Sequence, residues 1–150
     1  MSASDFDFLH GQWQVANTKI ADIVGHGTEW TEFTASAEVR PILGGAANVD
    51  SFHADGWEGM TLRQYDPSAG IWRIWWASTR APGHLDPPVE GRFTDGHGVF
   101  FGDDVVGGHE VKVRFDWTPG TEPVWEQSFS YDDGASWEKN WTMRFSRMVH

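Results

Sequence analysis

Short runs in which apolar and polar residues alternate, separated by turn-forming residues about every ten positions, leave this chain few folds to choose from. Between Thr28 and Arg40, Thr31, Phe33, Ala35, Ala37 and Val39 share one face, and Trp30, Glu32, Thr34, Ser36 and Glu38 share the other. That period of two is strand spacing. Comparable runs cover Gln12 to Ile20, Ala46 to His53, Trp57 to Tyr65, Ile71 to Ser78, Val89 to Thr94, His97 to Phe101, Glu110 to Trp117, Val124 to Tyr131 and Trp137 to Arg147. Gly25-His26-Gly27, Pro41 to Gly45, Asp55-Gly56, Asp66-Pro67-Ser68-Ala69-Gly70, Asp95-Gly96 and Gly102 to Gly108 are turn or breaker sequences between them. Ala81 to Pro88 is rich in proline and is expected to form the long loop, the natural rim or lid of any cavity.

This pattern predicts an all-β chain of about ten strands joined as a meander of hairpins. Without the long crossings of a Greek key, the expected architecture is a single antiparallel up-and-down β-barrel, whose closure removes exposed sheet edges. The 150 residues suffice for one domain, residues 1–150, with its own core. Helical spacing extends over no more than a turn or so. Ser4 and Asp7 are spaced as a capping box and Phe6 and Leu9 form one apolar stripe, so residues 4 to 10 predict a short N-terminal helical turn ended by Gly11.

The Gly11-Gln12-Trp13 step fits a strand entering the closed end of a barrel, where backbone passes close beneath a packed element and the indole plugs the space beyond. Because the last strand of such a barrel pairs with the first, Arg144 or Arg147 is expected over Trp13. Ser130-Tyr131-Asp132-Asp133-Gly134-Ala135-Ser136-Trp137 matches the Ser-x-Asp-x-Gly-x-Ser-Trp pattern of an Asp-box hairpin. It reads as scaffold: Asp132 accepts turn amides, Gly134 takes positive φ and Trp137 packs beneath the loop.

The formal charge of −11, with only 11 Lys and Arg, argues against nucleic acid and against an anionic membrane surface as partners. Cysteine is absent, which excludes disulfides, thiolate nucleophiles and Cys-ligated metal. No early stretch reads as a signal peptide and no run is long enough to cross a bilayer, so a cytoplasmic monomer or homodimer is expected. Aromatic residues make up 15% of the chain, including 10 Trp and 10 Phe. On short strands they fill a core or wall an aromatic pocket suited to a small apolar or aromatic ligand.

Phe6 to Trp13, Gly44-Gly45-x-x-Asn48, Leu62-Arg63-x-Tyr65-Asp66, Trp72-x-Ile74-x-Trp76, Gly91-x-Phe93 and the Asp-box ending in Asn140-Trp141 together resemble an uncharacterised bacterial family of lipocalin-like, or calycin-like, barrels. The similarity spans nearly the whole chain and extends more distantly to the lipocalin superfamily. It implies a closed barrel with an internal cavity. It brings no settled activity and so no catalytic residues.

The polar residues of the strands are the functional lead. Asn48 and Asp50 share a face with Phe52; Thr61, Arg63 and Tyr65 share one; Glu126, Ser128 and Ser130 share another. Trp72, Ile74 and Trp76 lie on one face of their strand, with Arg73 and Trp75 opposite. Alternation alone leaves the inward face open. Facing inward, Asn48, Asp50, Arg63, Tyr65, Trp72, Trp76 and Glu126 would form a ligand site in which an arginine beside a carboxylate holds the ligand's polar end. The same groups allow an enzyme, a cyclase, isomerase or hydratase, with Asp50 or Glu126 as acid or base and Arg63 or Tyr65 stabilising charge. A third reading is a haem-binding, nitrobindin-like barrel, with His97 as the candidate proximal ligand. The remaining histidines, His10, His26, His53, His84, His109 and His150, show no metal-ligand spacing, and neither a metal nor another cofactor is implied.

Overall fold

The computed structural model of the chain describes residues 2–23 and 27–148. Ten antiparallel strands follow in order: β1 Gly11–Ile20, β2 Trp30–Ile42, β3 Ala47–Ala54, β4 Trp57–Asp66, β5 Ile71–Ser78, β6 Val89–Thr94, β7 His97–Val106, β8 His109–Thr118, β9 Val124–Ser130 and β10 Glu138–Arg147. Each pairs with its neighbours in sequence, and β10 returns to β1, so the sheet closes as the barrel that the alternation predicts. Most of the Gly25-His26-Gly27 turn lies outside the described residues, as do His26 and His150.

The expected short N-terminal helical turn is present as a 3₁₀ turn, Asp7–Leu9. Two local expectations need correction. The turn has no capping box: Asp7 N–H donates to Ser4 O at 3.0 Å, while the Ser4 hydroxyl bonds that of Ser2 at 2.6 Å. β7 continues to Val106 instead of stopping at Phe101. Its acidic, glycine-containing sequence reads as loop, yet the ladder to β8 runs unbroken to Val106↔His109, and Lys112 Nζ meets Asp103 Oδ1 at 3.0 Å.

Inward and outward positions alternate along β1, with Trp13, Val15 and Asn17 buried and Gln12, Gln14 and Ala16 exposed. One end of the barrel is filled by the N-terminal turn. Phe6 and Leu9 are buried there, and the Phe6 ring lies edge-to-face on Trp72 at 4.9 Å and on Phe93 at 5.0 Å. Trp13 Nε1 donates to Leu9 O at 2.7 Å, so the turn is fastened to the strand it precedes.

Arg147, and not Arg144, covers the seam. The β1–β10 register places Arg147 opposite Trp13. Its guanidinium lies 3.9 Å from the Trp13 ring centroid and donates to His10 O at 2.5 Å. Gly11 is required beneath it: its φ is +120°, and a Cβ there would stand 2.4 Å from Arg147 Nη1. Arg144 faces solvent.

The Asp-box hairpin closes on its own side chains. Asp132 accepts from Ser136 N–H at 2.8 Å, from the Ser136 hydroxyl at 2.5 Å and from the Ser130 hydroxyl at 2.7 Å. These bonds, the Ser136 hydroxyl first, hold the Asp132 carboxyl down at about 2. Gly134 has the expected positive φ, 92°. Trp137 differs from expectation, because its ring packs on Phe101 of β7, 5.8 Å away, and not solely beneath its own loop.

Replacing Arg147 with Ala is expected to cost about 1–2 kcal/mol in urea unfolding, from the lost ring contact and the bond to His10, whereas Arg144→Ala stays within about 0.5 kcal/mol. Equal effects of the two would contradict the assigned seam. For the hairpin, an aspartate whose folded pKa lies below its unfolded value contributes stability above the unfolded value, near 4, and loses it as pH falls through about 2. Asp132→Asn should therefore lower Tm at neutral pH, with the gap to the unmodified protein closing between about pH 4 and pH 2; a gap independent of pH would show that the carboxylate is not what the loop depends on.

Candidate functional site

Above the plug the barrel is hollow. A cavity of about 450 Å³ runs from Arg63 and Trp117 at its floor to a mouth formed by the end of β1, the 79–88 loop and the end of β7. The mouth lies where the wall is least continuous: the β5–β6 ladder ends at Ile74↔Val89, and beyond it the loop is held by Asp86 N–H donating to Trp76 O at 2.8 Å. Asp86 and Pro87 line the cavity, so the proline-rich segment is a rim as expected.

Aromatic rings, Trp76, Trp125 and Trp141 among them, form a large part of the walls. Trp57 on β4 and Trp141 on β10 belong to strands separated by three others in the sheet, yet their rings approach to 6.3 Å, so they meet across the lumen. Trp76 joins both, at 6.3 Å from Trp57 and 6.5 Å from Trp141, and Trp125 lies edge-on to Trp141 at 5.5 Å. Gly59 makes room for this arrangement, since a Cβ there would sit 2.1 Å from the Trp76 ring.

The fully buried charges of the interior lie at the floor. Arg63 Nη1 donates to Asn48 Oδ1 at 2.8 Å and Nη2 to Asp50 Oδ2 at 3.1 Å. The Arg63 and Asp50 side chains are only 3% and 6% exposed, which makes this a desolvated ion pair. The guanidinium also lies 5.4 Å from the rings of Phe6 and Trp117, sandwiched between the plug and the cavity. The cluster is incompletely satisfied: Asp50 Oδ1 and Arg63 Nε have no hydrogen-bond partner among the described residues. Burial pushes the Asp50 carboxyl above the usual aspartate range, against the opposing pull of Arg63 and its hydrogen bond. Burial likewise lowers the Arg63 pKa, but a guanidinium stays protonated.

The predicted site residues separate into three groups. Asp50, Arg63 and Trp76 line the cavity. Asn48, Tyr65 and Trp72 point inward but lie nearer the closed end: Asn48 orients Arg63, Tyr65 packs on Trp72 at 5.4 Å, and Trp72 Nε1 donates to Asp5 Oδ2 at 3.2 Å beneath the plug. Glu126 is placed on the outer face, where it pairs with Lys139 at 2.6 Å, because Trp125 and Gln127 take the inward positions of β9. An acid or base role within the cavity is thereby removed from Glu126.

His97 is also outside, with Nε2 2.9 Å from Asp116 Oδ1, since Gly98 and Phe100 occupy the inward positions of β7. Burial acts to raise the Asp116 carboxyl, but bonds from Arg114 and His97 hold it below the ordinary range. No histidine among the described residues lines the cavity, so the proximal haem ligand proposed for His97 is not in place. Among the described residues no cluster of His, Asp or Glu is arranged to hold a metal ion.

Most of the other lining residues were not singled out in sequence, among them Trp117, Trp125, Gln127 and two cations. Lys19 extends the Trp13, Val15, Asn17 series to the mouth, and Arg80 enters from the 79–88 loop. Parity with Trp13 was enough to place Lys19; nothing local marks Arg80.

Compared with known proteins, the chain matches no family model and no curated protein in sequence. No helix among the described residues is long and apolar enough to cross a membrane.

Removing Arg63 strands a buried carboxylate, so Arg63→Met should destabilise by about 3–5 kcal/mol in urea unfolding. Adding Asp50→Asn to that variant leaves no buried charge and should recover part of the loss; a double variant as unstable as the sum of the singles would show that the pair is not coupled.

Proposed function

We propose that this protein is a lipocalin-like barrel that binds a small apolar or aromatic ligand in its internal cavity. The observation that carries the reading is the combination of a cavity of about 450 Å³ with aromatic walls and one buried, half-satisfied polar cluster at its floor. That volume falls in the range of roughly 300–1,000 Å³ typical of small-molecule sites, which pair apolar walls with a few orienting polar groups. Asp50 Oδ1 is an acceptor without a donor, so a hydroxyl or N–H at the deep end of a ligand would satisfy it.

Trp76, Trp125 and Trp141 face the cavity and report its occupancy. Titration with fatty acids, aromatic acids, flavins and polyketide-like compounds is expected to shift tryptophan emission and raise Tm for at least one class, since a ligand at 100 times its Kd adds about 2.7 kcal/mol. Val113→Trp, which places an indole in the lumen, should abolish that response. Unmoved emission and Tm across the whole panel would reject the binding reading.

A second reading is favoured by Asp50 specifically: a carboxyl raised by burial at the floor of a largely apolar cavity has the properties of a general acid or base. On that reading the barrel is a cyclase, isomerase or hydratase acting on the ligand it binds. Asp50→Asn separates the two, because a catalyst retains its ligand and loses turnover.

A further inference from the structure

The mouth carries charge of a different kind from the floor. Lys19 Nζ lies 5.0 Å from the Trp141 ring centroid and the Arg80 guanidinium 3.8 Å from that of Trp57. Those two indoles touch, at 6.3 Å, so the two cations ride on adjacent rings of the aromatic bridge. Neither has a carboxylate partner among the described residues.

The acidic groups of the mouth have contacts of their own, although the Asp104 charge also acts on Asp86 and, after burial, raises its carboxyl. Asp103 pairs with Lys112 at 3.0 Å, Asp86 with His84 at 3.3 Å, and Asp104 accepts from Val105 N–H at 2.7 Å. Asp22 has an interaction of its own as well. The acids of β7 stand across the barrel from β1, in a sheet order where four steps separate the two strands. The neighbouring charge that acts on Lys19 is therefore not one of them but Arg80. Burial first, and then this like charge, lower the Lys19 pKa, while burial lowers that of Arg80. Two cations brought together without a counter-ion, Lys19 partly buried and Arg80 at the exposed rim, are stabilised by an anion between them.

We propose that the cavity takes an amphipathic carboxylate, its apolar body among the tryptophans and its single negative head at the mouth between Lys19 and Arg80. The assignment rests on the ligand-binding reading above and gives the ligand a direction. The charged end stays near water and the indoles, and any hydroxyl at the far end reaches Asp50. The reverse orientation would bring a carboxylate against the Asp50 carboxyl on the floor, where Arg63 already donates to Asp50 and Asn48.

Two matched sets of probes test it by isothermal titration calorimetry: decanoic acid, decanol and decylamine; and 2-naphthylacetic acid, 2-(2-naphthyl)ethanol and 2-(2-naphthyl)ethylamine. In at least one set the acid should bind about tenfold or more tighter than the alcohol. High salt should narrow that ratio. In Lys19→Gln/Arg80→Gln the acid should fall to the affinity of the alcohol while the alcohol binds as before, which also shows that the variant is folded. Equal binding of acid and alcohol, or an amine that binds best, overturns the head-group assignment and leaves ligand binding standing. Failure of every probe on the unmodified protein overturns both.

Discussion

Closure of the first strand on the last is the constraint from which the rest of this structure follows. A ten-stranded meander left open would expose the hydrogen-bonding edges of β1 or β10; paired, every strand has two neighbours. The pairing alone does not seal the end of the tube. That is achieved where Arg147 lies flat on Trp13 and caps the carbonyl of His10, with Gly11 leaving room for the guanidinium. The N-terminal turn is thus locked into the barrel end by a residue more than a hundred positions away, and Phe6 and Leu9 fill the lumen from below.

Filling one end decides where the cavity lies and what its floor consists of. Phe6 rises as far as Arg63, so the guanidinium has aromatic faces on both sides and can be stabilised only laterally, by Asn48 and Asp50. Those three side chains stand at β3–β4 positions that face each other across the ladder or one step away, Asn48↔Arg63 being a direct register pair. Alternation that makes Phe52 a wall residue therefore also forces Asp50 and Asn48 inward. The buried pair follows from the register, and its unsatisfied atoms remain because no other group among the described residues reaches them.

Strand number, order and closure were legible in the sequence, because period-two alternation and turn residues are local properties. So were Trp13 as a plug, an arginine above it, and the Asp-box. What escaped was orientation and depth. Trp72 and Trp76 share a face, yet one lies beneath the plug and the other walls the cavity, since four residues cover about 13 Å along the strand. Glu126 was misplaced for a related reason: β9 carries Trp125, Gln127 and Phe129 on one face and Glu126 and Ser128 on the other, and the aromatic residues outcompete the carboxylate for the interior. Arg80 could not have been found locally, since it reaches the lumen from a loop through its contact with Trp57.

The tryptophans also explain why the interior stays open. A cavity lined by flexible aliphatic side chains can shrink by changes of rotamer, but here each ring is braced by another. Phe115 meets Trp125 at 5.1 Å, Trp125 meets Trp141 at 5.5 Å, and Trp141 meets Trp57, which stands 5.3 Å from Phe52. Edge-to-face contacts fix ring planes as well as distances, so tilting one indole into the lumen breaks its contacts with the next. This bracing runs from the β8–β10 wall to the β3–β4 wall, and its upper surface is where Lys19 and Arg80 rest. The same rings that hold the cavity open thus hold two cations at its mouth, in a protein whose net charge of −11 would otherwise repel an anion. At physiological ionic strength that repulsion is screened over about 8 Å, so an anion arriving at the mouth responds chiefly to the two charges nearest it.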